Sequence, residues 1–278
     1  MRVNEILKKN GFRFNKRFGQ NFICDDALLR EIADISETNK EDTVVEVGCG
    51  AGTLTSVLSE RAKKVIGFEI DRSLKPVLAE TLSGKDNVEI FFKDAMKIGA
   101  EEMKEIAGER FTLVANLPYY ITTPIIMKFI EEFTGTEKIV VTVQEEVADR
   151  LCAKAGSPEY GAVTAAVDLV GTCEKVMRID RKMFFPSPNV DSAVVRIKID
   201  GNKYPVCDRA LFRSVVKAAF GNRRKTLVNN LMMSFGLTRA SAEEAVALVK
   251  GDVSARGETL STADFVKLTE LLAKTGTF

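Results

Sequence analysis

The run N-L-P-Y at residues 116–119 combines groups that could bind and activate the amine of adenine. That nitrogen is a poor nucleophile, because its lone pair is delocalised into the aromatic ring. Two acceptors, the side-chain oxygen of Asn116 and the main-chain carbonyl of Leu117, could bind the two amine hydrogens and free the lone pair. Pro118 would stiffen the loop and donates no N–H, and the ring of Tyr119 could stack on the base.

The same run would also suit a plain turn, since Asn and Pro are common in turns and Tyr often packs at strand ends. It nevertheless fits a pattern typical of amino-methylating enzymes: Asn, Asp or Ser, then Pro, Ile or Leu, then Pro, then an aromatic residue. We expect the neighbouring Tyr120 to be a packing residue.

A second candidate site is the stretch VVEVGCGAGTLT, which holds Gly48, Gly50 and Gly52. Glycine lets the backbone turn sharply and approach a ligand closely. Glu69 follows Gly48 by 21 residues, the spacing of an acid that accepts hydrogen bonds from ribose hydroxyls. A dinucleotide fold would share these features, but its G-x-G-x-x-G fingerprint needs glycine where this chain has Thr53. The stretch therefore favours S-adenosylmethionine over NAD.

Asp94, in the stretch FFKDAM, could accept a hydrogen bond from the adenine amine of such a cofactor. It could equally cap the N-terminus of a helix, where Asp is favoured. Methyl transfer from a sulfonium releases a neutral leaving group, so it depends mainly on positioning and electrostatics. Because the chain has no histidine, this reaction suits it better than one that requires an imidazole base.

The composition predicts a soluble cytoplasmic protein with a substantial core. Hydrophobic residues make up 45% of the 278 positions, and no apolar run approaches the roughly 20 residues of a membrane span. The N-terminus has no apolar signal region. The five cysteines are scattered and never form a C-x-x-C pair, which argues against disulfides and a zinc site. We expect no metal, no membrane association and a reducing compartment.

Basic residues are concentrated in two places, although the net charge is only +1. The first 20 residues carry six basic side chains, including Lys16 and Arg17, against a single acidic one. Arg223, Arg224 and Lys225 form a second cluster. Basic patches on a near-neutral protein suggest a polyanionic partner, although either cluster alone could be solvated surface.

Apolar segments that suit strands alternate with helical patterns through the first part of the chain. We predict five strands, each followed by a helix, at 43–48, 64–70, 87–94, 111–117 and 138–144. Near-continuous apolar strands of this kind indicate a parallel sheet covered on both faces. Because ligands bind outside the carboxyl ends of such strands, the glycine stretch and the N-L-P-Y run should face one crevice.

The pattern changes beyond residue 160. The segments 160–170 and 192–200 are predicted as strands that close one edge of the sheet as an antiparallel hairpin. Four helical segments with short glycine-marked breaks follow residue 205. We therefore predict a sheet domain at 1–203 and a small all-helical domain at 204–278.

Taken in order, these motifs closely resemble those of the KsgA-type ribosomal RNA adenine dimethyltransferases over nearly the whole chain. Ile23 stands where that family has leucine. Several ordered motifs are together far more specific than any one of them. Beyond the stretches already quoted, the matching segments are KRFGQNFI (16–23), FEID (68–71), QEEVADRL (144–151), YGAVTAAV (160–167), FFPSPNVDSAVVRI (184–197), AFGNRRKTLVNNL (219–231) and RGETLS (256–261).

The resemblance implies an α/β, Rossmann-like methyltransferase fold: a mainly parallel seven-stranded sheet with an antiparallel edge, plus a small C-terminal helical domain. Residues 116–119 would hold the target adenine, and Phe184, which could equally be core, would close on the base from the other side. The resemblance implies cofactor contacts from Asn21, Ile23, Gly48, Glu69, Asp94 and Asn116. The glycine stretch itself adds Gly50 to this set.

The implied reaction is dimethylation of N6 on two adjacent adenosines near the 3′ end of small-subunit ribosomal RNA. The substrate would be a partly assembled ribosomal subunit. We expect phosphate contacts from both basic clusters, which would make binding strongly salt-dependent. Nothing in the sequence suggests an obligate dimer, so we expect a monomer. The residues expected to contact RNA are Lys16, Arg17, Arg223, Arg224 and Lys225.

Three alternatives remain open. A methyltransferase of the same fold that modifies large-subunit rRNA and confers antibiotic resistance would share the cofactor site, but N-L-P-Y and FGNRRKTL favour the small-subunit type. A non-catalytic assembly or transcription factor on this fold is disfavoured by the intact Asn116 and Gly48. An NAD-dependent oxidoreductase is disfavoured by Thr53 and by the lack of histidine.

Overall fold

The structure, a computed structural model, describes residues 3–14, 19–201 and 203–274. The strands in these ranges are β1 (Phe22–Ile23), β2 (Thr43–Val47), β3 (Lys64–Phe68), β4 (Val88–Phe91), β5 (Phe111–Asn116), β6 (Thr136–Gln144), β7 (Gly171–Ile179), β8 (Phe184–Phe185) and β9 (Ser192–Ile199). The α-helices are α1 (Val3–Lys9), α2 (Asp26–Ile35), α3 (Thr53–Arg61), α4 (Lys75–Thr81), α5 (Ala100–Ala107), α6 (Tyr119–Glu131), α7 (Glu145–Leu151), α8 (Ala162–Val170), α9 (Arg209–Gly221), α10 (Leu227–Phe235), α11 (Arg239–Lys250) and α12 (Thr262–Lys274).

Seven of the strands form one sheet in the order β4-β3-β2-β5-β6-β9-β7. Strands β2 to β6 run parallel to one another, and β9 runs antiparallel to β6. The predicted mainly parallel sheet with an antiparallel edge is therefore confirmed. The chain moves outward from β2 through β3 to β4, and then continues on the other side of β2 with β5 and β6. Such a reversal opens a crevice, because the loops that leave β2 and β5 diverge.

The central strands form where the sequence has unbroken apolar runs. Val44 and Val45 in β2, and Leu113 and Val114 in β5, are fully buried. Consecutive residues of a strand point to opposite faces, so burial of both members of each pair means that the sheet is covered on both sides. All five predicted parallel strands, β2 to β6, are present in the structure, each within a few residues of its expected bounds.

One predicted strand is wrong. The segment 160–170 forms the helix α8, which begins at Ala162, because a short apolar run does not distinguish a strand from a buried helix. Thr164 fixes the first turn, since its hydroxyl accepts from the Gly161 N–H at 3.2 Å and donates to the Arg150 carbonyl at 2.6 Å. The strand at this edge is instead β7, whose many polar side chains suit an edge position and concealed it in the sequence.

Contacts among residues divide the chain into two compact units. Unit 1 is Met1–Ala148 with Cys173–Ile199, and unit 2 is Asp149–Thr172 with Asp200–Phe278. The segment 149–172, which the predicted boundary near residue 203 assigned to the sheet domain, thus lies in unit 2. The assignment of 1–203 and 204–278 as separate catalytic and recognition domains stays a prediction.

Unit 2 is built around an apolar centre. Helix α9 contributes Phe212, α10 contributes Leu231 and α12 contributes Phe265, all of which are fully or almost fully buried. Two of these helices begin at a polar cap: the Thr226 hydroxyl accepts from a backbone N–H of α10, and Thr238 does the same for α11. The four helices predicted after residue 205 are confirmed. No helix in the described ranges is long and apolar enough to span a membrane.

Candidate active site

A cavity of about 390 Å³ opens in unit 1 at the carboxyl ends of β2, β3, β4 and β5. Its volume falls within the roughly 300–1,000 Å³ that is typical of small-molecule sites. Every residue predicted to bind the cofactor or the target adenine lines this one cavity. These residues are Asn21, Ile23, Gly48, Gly50, Glu69, Asp94, Asn116, Leu117, Pro118, Tyr119 and Phe184.

The loop after β2 needs its glycines for two reasons. Gly48, Gly50 and Gly52 all have positive φ angles, of 77°, 55° and 78°, a region that side chains with a Cβ rarely adopt. At Gly50 a Cβ would also lie only 2.6 Å from the ring of Phe22. The bare backbone of this loop therefore forms one wall of the cavity, as close approach to a ligand requires.

Glu69 lies at the end of β3 and is only 5% exposed. Its two carboxylate oxygens accept hydrogen bonds from the Gly50 N–H at 2.9 Å and the Asp71 N–H at 2.8 Å. Burial raises the pKa of Glu69, while these N–H donors oppose the rise. Because each carboxylate oxygen can accept more than one hydrogen bond, Glu69 can still accept from the hydroxyls of a ribose.

Asp94 lies just beyond β4 and caps a short turn. One of its oxygens accepts from the Met96 N–H at 3.0 Å, so Asp94 has the capping role that its position in the sequence also allowed. Asp94 also lines the cavity. Its contact with the adenine of a cofactor stays a prediction.

Asn116, the last residue of β5, donates from Nδ2 to the main-chain carbonyl of Asn21 at 3.1 Å. A carbonyl oxygen can only accept, so the amide nitrogen faces Asn21 and Oδ1 is turned away from it. The segment around Asn21 is held in place by two further contacts. Gln20 donates to Asp71 at 2.9 Å, and β1 pairs with β8.

The rest of the N-L-P-Y run starts helix α6. Leu117 is buried, and Pro118 lies at the N-cap position. The hydroxyl of Tyr119 lies 2.9 Å from the hydroxyl of Ser192, and burial raises the pKa of Tyr119. Tyr120, by contrast, is 64% exposed, so the expectation that it is a packing residue is wrong.

Phe184 is a core residue that also reaches the cavity. It is 4% exposed and belongs to the buried cluster that contains Ile23 and Leu29. It also lines the cavity. The contact that the resemblance implies, with the face of a target base, stays a prediction.

Glu46 is a cavity residue that the sequence reasoning missed. It lies in β2, is 1% exposed, and its Oε2 has no hydrogen-bond partner among the described residues. Burial, with the nearby Glu69 charge as a smaller cause, raises the pKa of Glu46 to about 8. The signal was present in the sequence, because an acid inside the apolar run TVVEVG is out of place unless it has a function.

The cavity lining is acidic and therefore fits a cationic cofactor better than an anionic one. Glu69 and Asp94 supply carboxyl groups, and the ammonium of the lining residue Lys93 lies 2.6 Å from Glu102. Glu46, with a pKa of about 8, is mostly protonated at neutral pH and adds little charge. A sulfonium with an ammonium group would be attracted by such a lining, and a pyrophosphate would be repelled by it. The residues present thus fit S-adenosylmethionine.

The basic residues predicted to bind RNA lie elsewhere or are not described. Lys16 and Arg17 fall outside the described residues. Arg223 donates to the main-chain carbonyls of residues 158 and 160 at 3.3 and 2.9 Å, so it has a structural role in unit 2. Lys225 contacts the sulfur of Met233. Arg224 is exposed, and no contact of its guanidinium is observed within the described ranges.

Comparison with known proteins identifies a family and close relatives. The family model described as ribosomal RNA adenine dimethylase matches residues 11–274. A protein of Geobacillus kaustophilus named ribosomal RNA small subunit methyltransferase A is 45% identical, and the alignment covers 98% of this chain and 95% of that protein. A protein of the same name from Clostridioides difficile is 42% identical, with 97% and 94% covered.

Solved structures share the fold. A dimethyladenosine transferase from Plasmodium falciparum aligns with a TM-score of 0.78 at 25% identity, covering 91% of this chain and 97% of that one. The 23S rRNA methyltransferase ErmE aligns with a TM-score of 0.68 at 27% identity, covering 91% and 99%. These similarities confirm the predicted Rossmann-like methyltransferase fold.

The burial of Glu46 predicts a pH dependence of stability. Its pKa is about 8 in the folded protein against an ordinary 4.5, so between these values the folded protein keeps a proton that the unfolded chain has released. The free energy of unfolding should therefore fall as pH rises through this window, by up to about 1.4 kcal/mol per pH unit from this group. Glu46→Gln should flatten the dependence measured by urea denaturation at pH 5.5 and 7.5.

Because the chain has no histidine, few other groups titrate between pH 5.5 and 7.5, so the slope mainly reports Glu46. Glu101→Gln, at an exposed position in α5, is the matched control and should keep the wild-type slope. Equal slopes for the wild type and Glu46→Gln would contradict the assignment.

Proposed function

The chain belongs to the ribosomal RNA adenine dimethylase family, and on that premise we propose that it dimethylates N6 of two adjacent adenosines near the 3′ end of small-subunit rRNA. The relatives that match nearly its full length are named small-subunit methyltransferases, which favours the small subunit over the large one. S-adenosylmethionine, when bound, supplies the methyl group on a sulfonium that leaves as a neutral thioether.

The observation that supports the reaction best is the orientation of Asn116. With Nδ2 bonded to the carbonyl of Asn21 at 3.1 Å, Oδ1 is the end of the carboxamide that remains to accept one N6 hydrogen. The main-chain carbonyl of Leu117 accepts the other. Two acceptors on one amine draw its nitrogen toward tetrahedral geometry, so the lone pair becomes available to the methyl group.

The target base is proposed to lie between Tyr119 and Phe184. The hydrogen bond between the hydroxyls of Tyr119 and Ser192 holds one ring in place, and the buried cluster around Phe184 holds the other. Rings that are already fixed lose little entropy when a base stacks on them, so more of the binding free energy is available to orient the base for transfer. After transfer, the proton on N6 departs to water, and no imidazole is needed.

The cofactor is proposed to be held by residues from four strand ends. Glu69 accepts from the ribose hydroxyls, and Asp94 accepts from the adenine amine of the cofactor. The glycine loop at 48–52 and the segment at 21–23 enclose the remainder. The acidic lining then stabilises the positive charge, which is lost only when the methyl group leaves.

The biological setting follows from the same premise. We propose a monomeric cytoplasmic enzyme that acts on a partly assembled small subunit, with phosphate contacts from both basic clusters. Within unit 2, Arg224 suits this role best, because the guanidinium of Arg223 is bonded to main-chain carbonyls.

The first test is methyl transfer itself. Purified protein with labelled S-adenosylmethionine should methylate immature small subunits at adenine N6, and mass spectrometry of nuclease digests would locate the product on two neighbouring adenosines. Mature subunits that already carry the modification are the control and should accept little label. Incorporation confined to large-subunit RNA, the substrate named for ErmE, would reject the proposal.

The role of Asn116 is tested by Asn116→Ala. Loss of one preorganised hydrogen-bonding group at a reacting centre typically lowers the rate by roughly 100-fold or more, so we expect near-complete loss of transfer, while calorimetry still detects cofactor binding. Asn116→Asp keeps an acceptor oxygen but loses the N–H donated to Asn21, so it should retain partial activity. Full activity of the alanine variant would exclude the proposed role.

The phosphate contact is tested by Arg224→Gln. Binding of small-subunit RNA should weaken uniformly across sequences, and the slope of log K against log salt should fall by about 1. Arg224→Lys keeps the charge and should keep the slope. Arg223→Gln should instead lower the melting temperature, because it removes hydrogen bonds to two main-chain carbonyls. An unchanged slope for Arg224→Gln would place the phosphate contact elsewhere.

A further inference from the structure

Three aromatic side chains are exposed in the described part of the chain, and all belong to unit 1. Phe14 is 37% exposed, Phe185 is 44% exposed and Tyr120 is 64% exposed. Large exposed aromatic rings are costly to leave in water and commonly mark binding surfaces. We call these three residues the aromatic rim, because each adjoins a residue of the catalytic cavity.

Phe14 and Phe185 form one part of the rim. The strand β8 is only two residues long, and its side chains alternate: Phe184 points into the cavity wall and Phe185 points out. The ring of Phe14 packs edge-on against Phe185, with centroids 5.3 Å apart. The ring centroids of Phe14 and Phe22 are 5.6 Å apart, and Phe22 lines the cavity. The Phe14–Phe185 pair therefore packs against a segment that forms part of the cavity wall.

Tyr120 forms the other part of the rim. It lines the cavity although most of its side chain is in solvent. Its neighbour Tyr119 is fixed by a hydrogen bond to Ser192, whereas no hydrogen bond of the Tyr120 hydroxyl is observed among the described residues. Tyr119 and Tyr120 thus repeat the arrangement of Phe184 and Phe185, with one ring inside the cavity and the next ring outside.

We propose that the aromatic rim binds the unpaired RNA bases next to the adenosine in the cavity, and that Tyr120 stacks on the second adenosine of the pair. The inference rests on the proposed function, since it needs a single-stranded RNA substrate with two adjacent targets. Unpaired bases are recognised by stacking on aromatic side chains, and every base offers a suitable face.

The arrangement would serve a specific need of this reaction. The cavity encloses one base at a time, while the adjacent target has to wait outside without pairing elsewhere. A ring beside the opening keeps that base unstacked from its RNA neighbours and close to the site. Two exposed cations lie near the pair in the sequence, Arg13 beside Phe14 and Lys182 three residues before Phe185, and a surface that follows a phosphate backbone uses such charges.

The test compares Tyr120→Ala, Tyr120→Leu and Tyr120→Phe with the wild type on immature small subunits. Stacking on one aromatic ring contributes enough to change affinity by roughly five- to hundredfold. The alanine and leucine variants should therefore raise KM for the subunit within that range, and a larger share of products should carry methyl groups on one adenosine only. Tyr120→Phe keeps the ring and should match the wild type.

Two controls accompany these variants. Cofactor affinity measured by calorimetry should be unchanged in all three, which would show that the cavity is intact. Leu248→Ala removes an exposed apolar side chain of α11 that is 54% exposed, and it should leave KM and the product distribution unchanged.

Several outcomes would overturn the inference. If Tyr120→Ala matches the wild type in KM and in product distribution, the ring does not bind RNA. If Tyr120→Leu retains full function, apolar contact suffices and stacking is excluded. If Tyr120→Phe fails as Tyr120→Ala does, the hydroxyl is the active group instead. If the wild type itself transfers no methyl group to small-subunit RNA, the proposed function fails and the rim proposal fails with it.

Discussion

The hydrogen bond from Asn116 Nδ2 to the carbonyl of Asn21 is the contact on which the proposed chemistry depends. A carboxamide has one donating end and one accepting end, and only the accepting end can hold an amine hydrogen of adenine. The main-chain carbonyl takes the donating end at 3.1 Å, which leaves the oxygen for the substrate. The segment that carries Asn21 is therefore part of the candidate active site, where Gln20 and the pairing of β1 with β8 hold it in place.

The cavity also shows how an enzyme without histidine can prepare a reaction. Glu46 and Glu69 are buried together, and burial raises the pKa of both. Buried carboxyl groups reduce stability unless they have partners, and one oxygen of Glu46 has none among the described residues. Such groups concentrate at functional sites. Here the raised pKa keeps Glu46 mostly protonated at neutral pH, so the attraction of a cationic cofactor falls to Glu69 and Asp94.

Unit 2 illustrates how much of a residue's role depends on contacts that the local sequence does not show. The cluster at 223–225 has the composition of a phosphate-binding turn, yet its first arginine is bonded to main-chain carbonyls near α8. Unit 2 also contains the predicted strand at 160–170, which is a helix in the structure. In both cases charge and periodicity describe a residue without the groups that it contacts.

The sequence by itself determined which residues follow strand ends. Apolar runs predict buried strands, and parallel strands carry their following loops to one edge, so the meeting of Gly48, Glu69 and Asn116 around one cavity was predictable. Only the tertiary structure decided which way neighbouring side chains point and what they touch. Tyr120 is outside and Phe184 is inside because distant segments pack against one and leave the other free, and no local pattern encodes those non-local contacts.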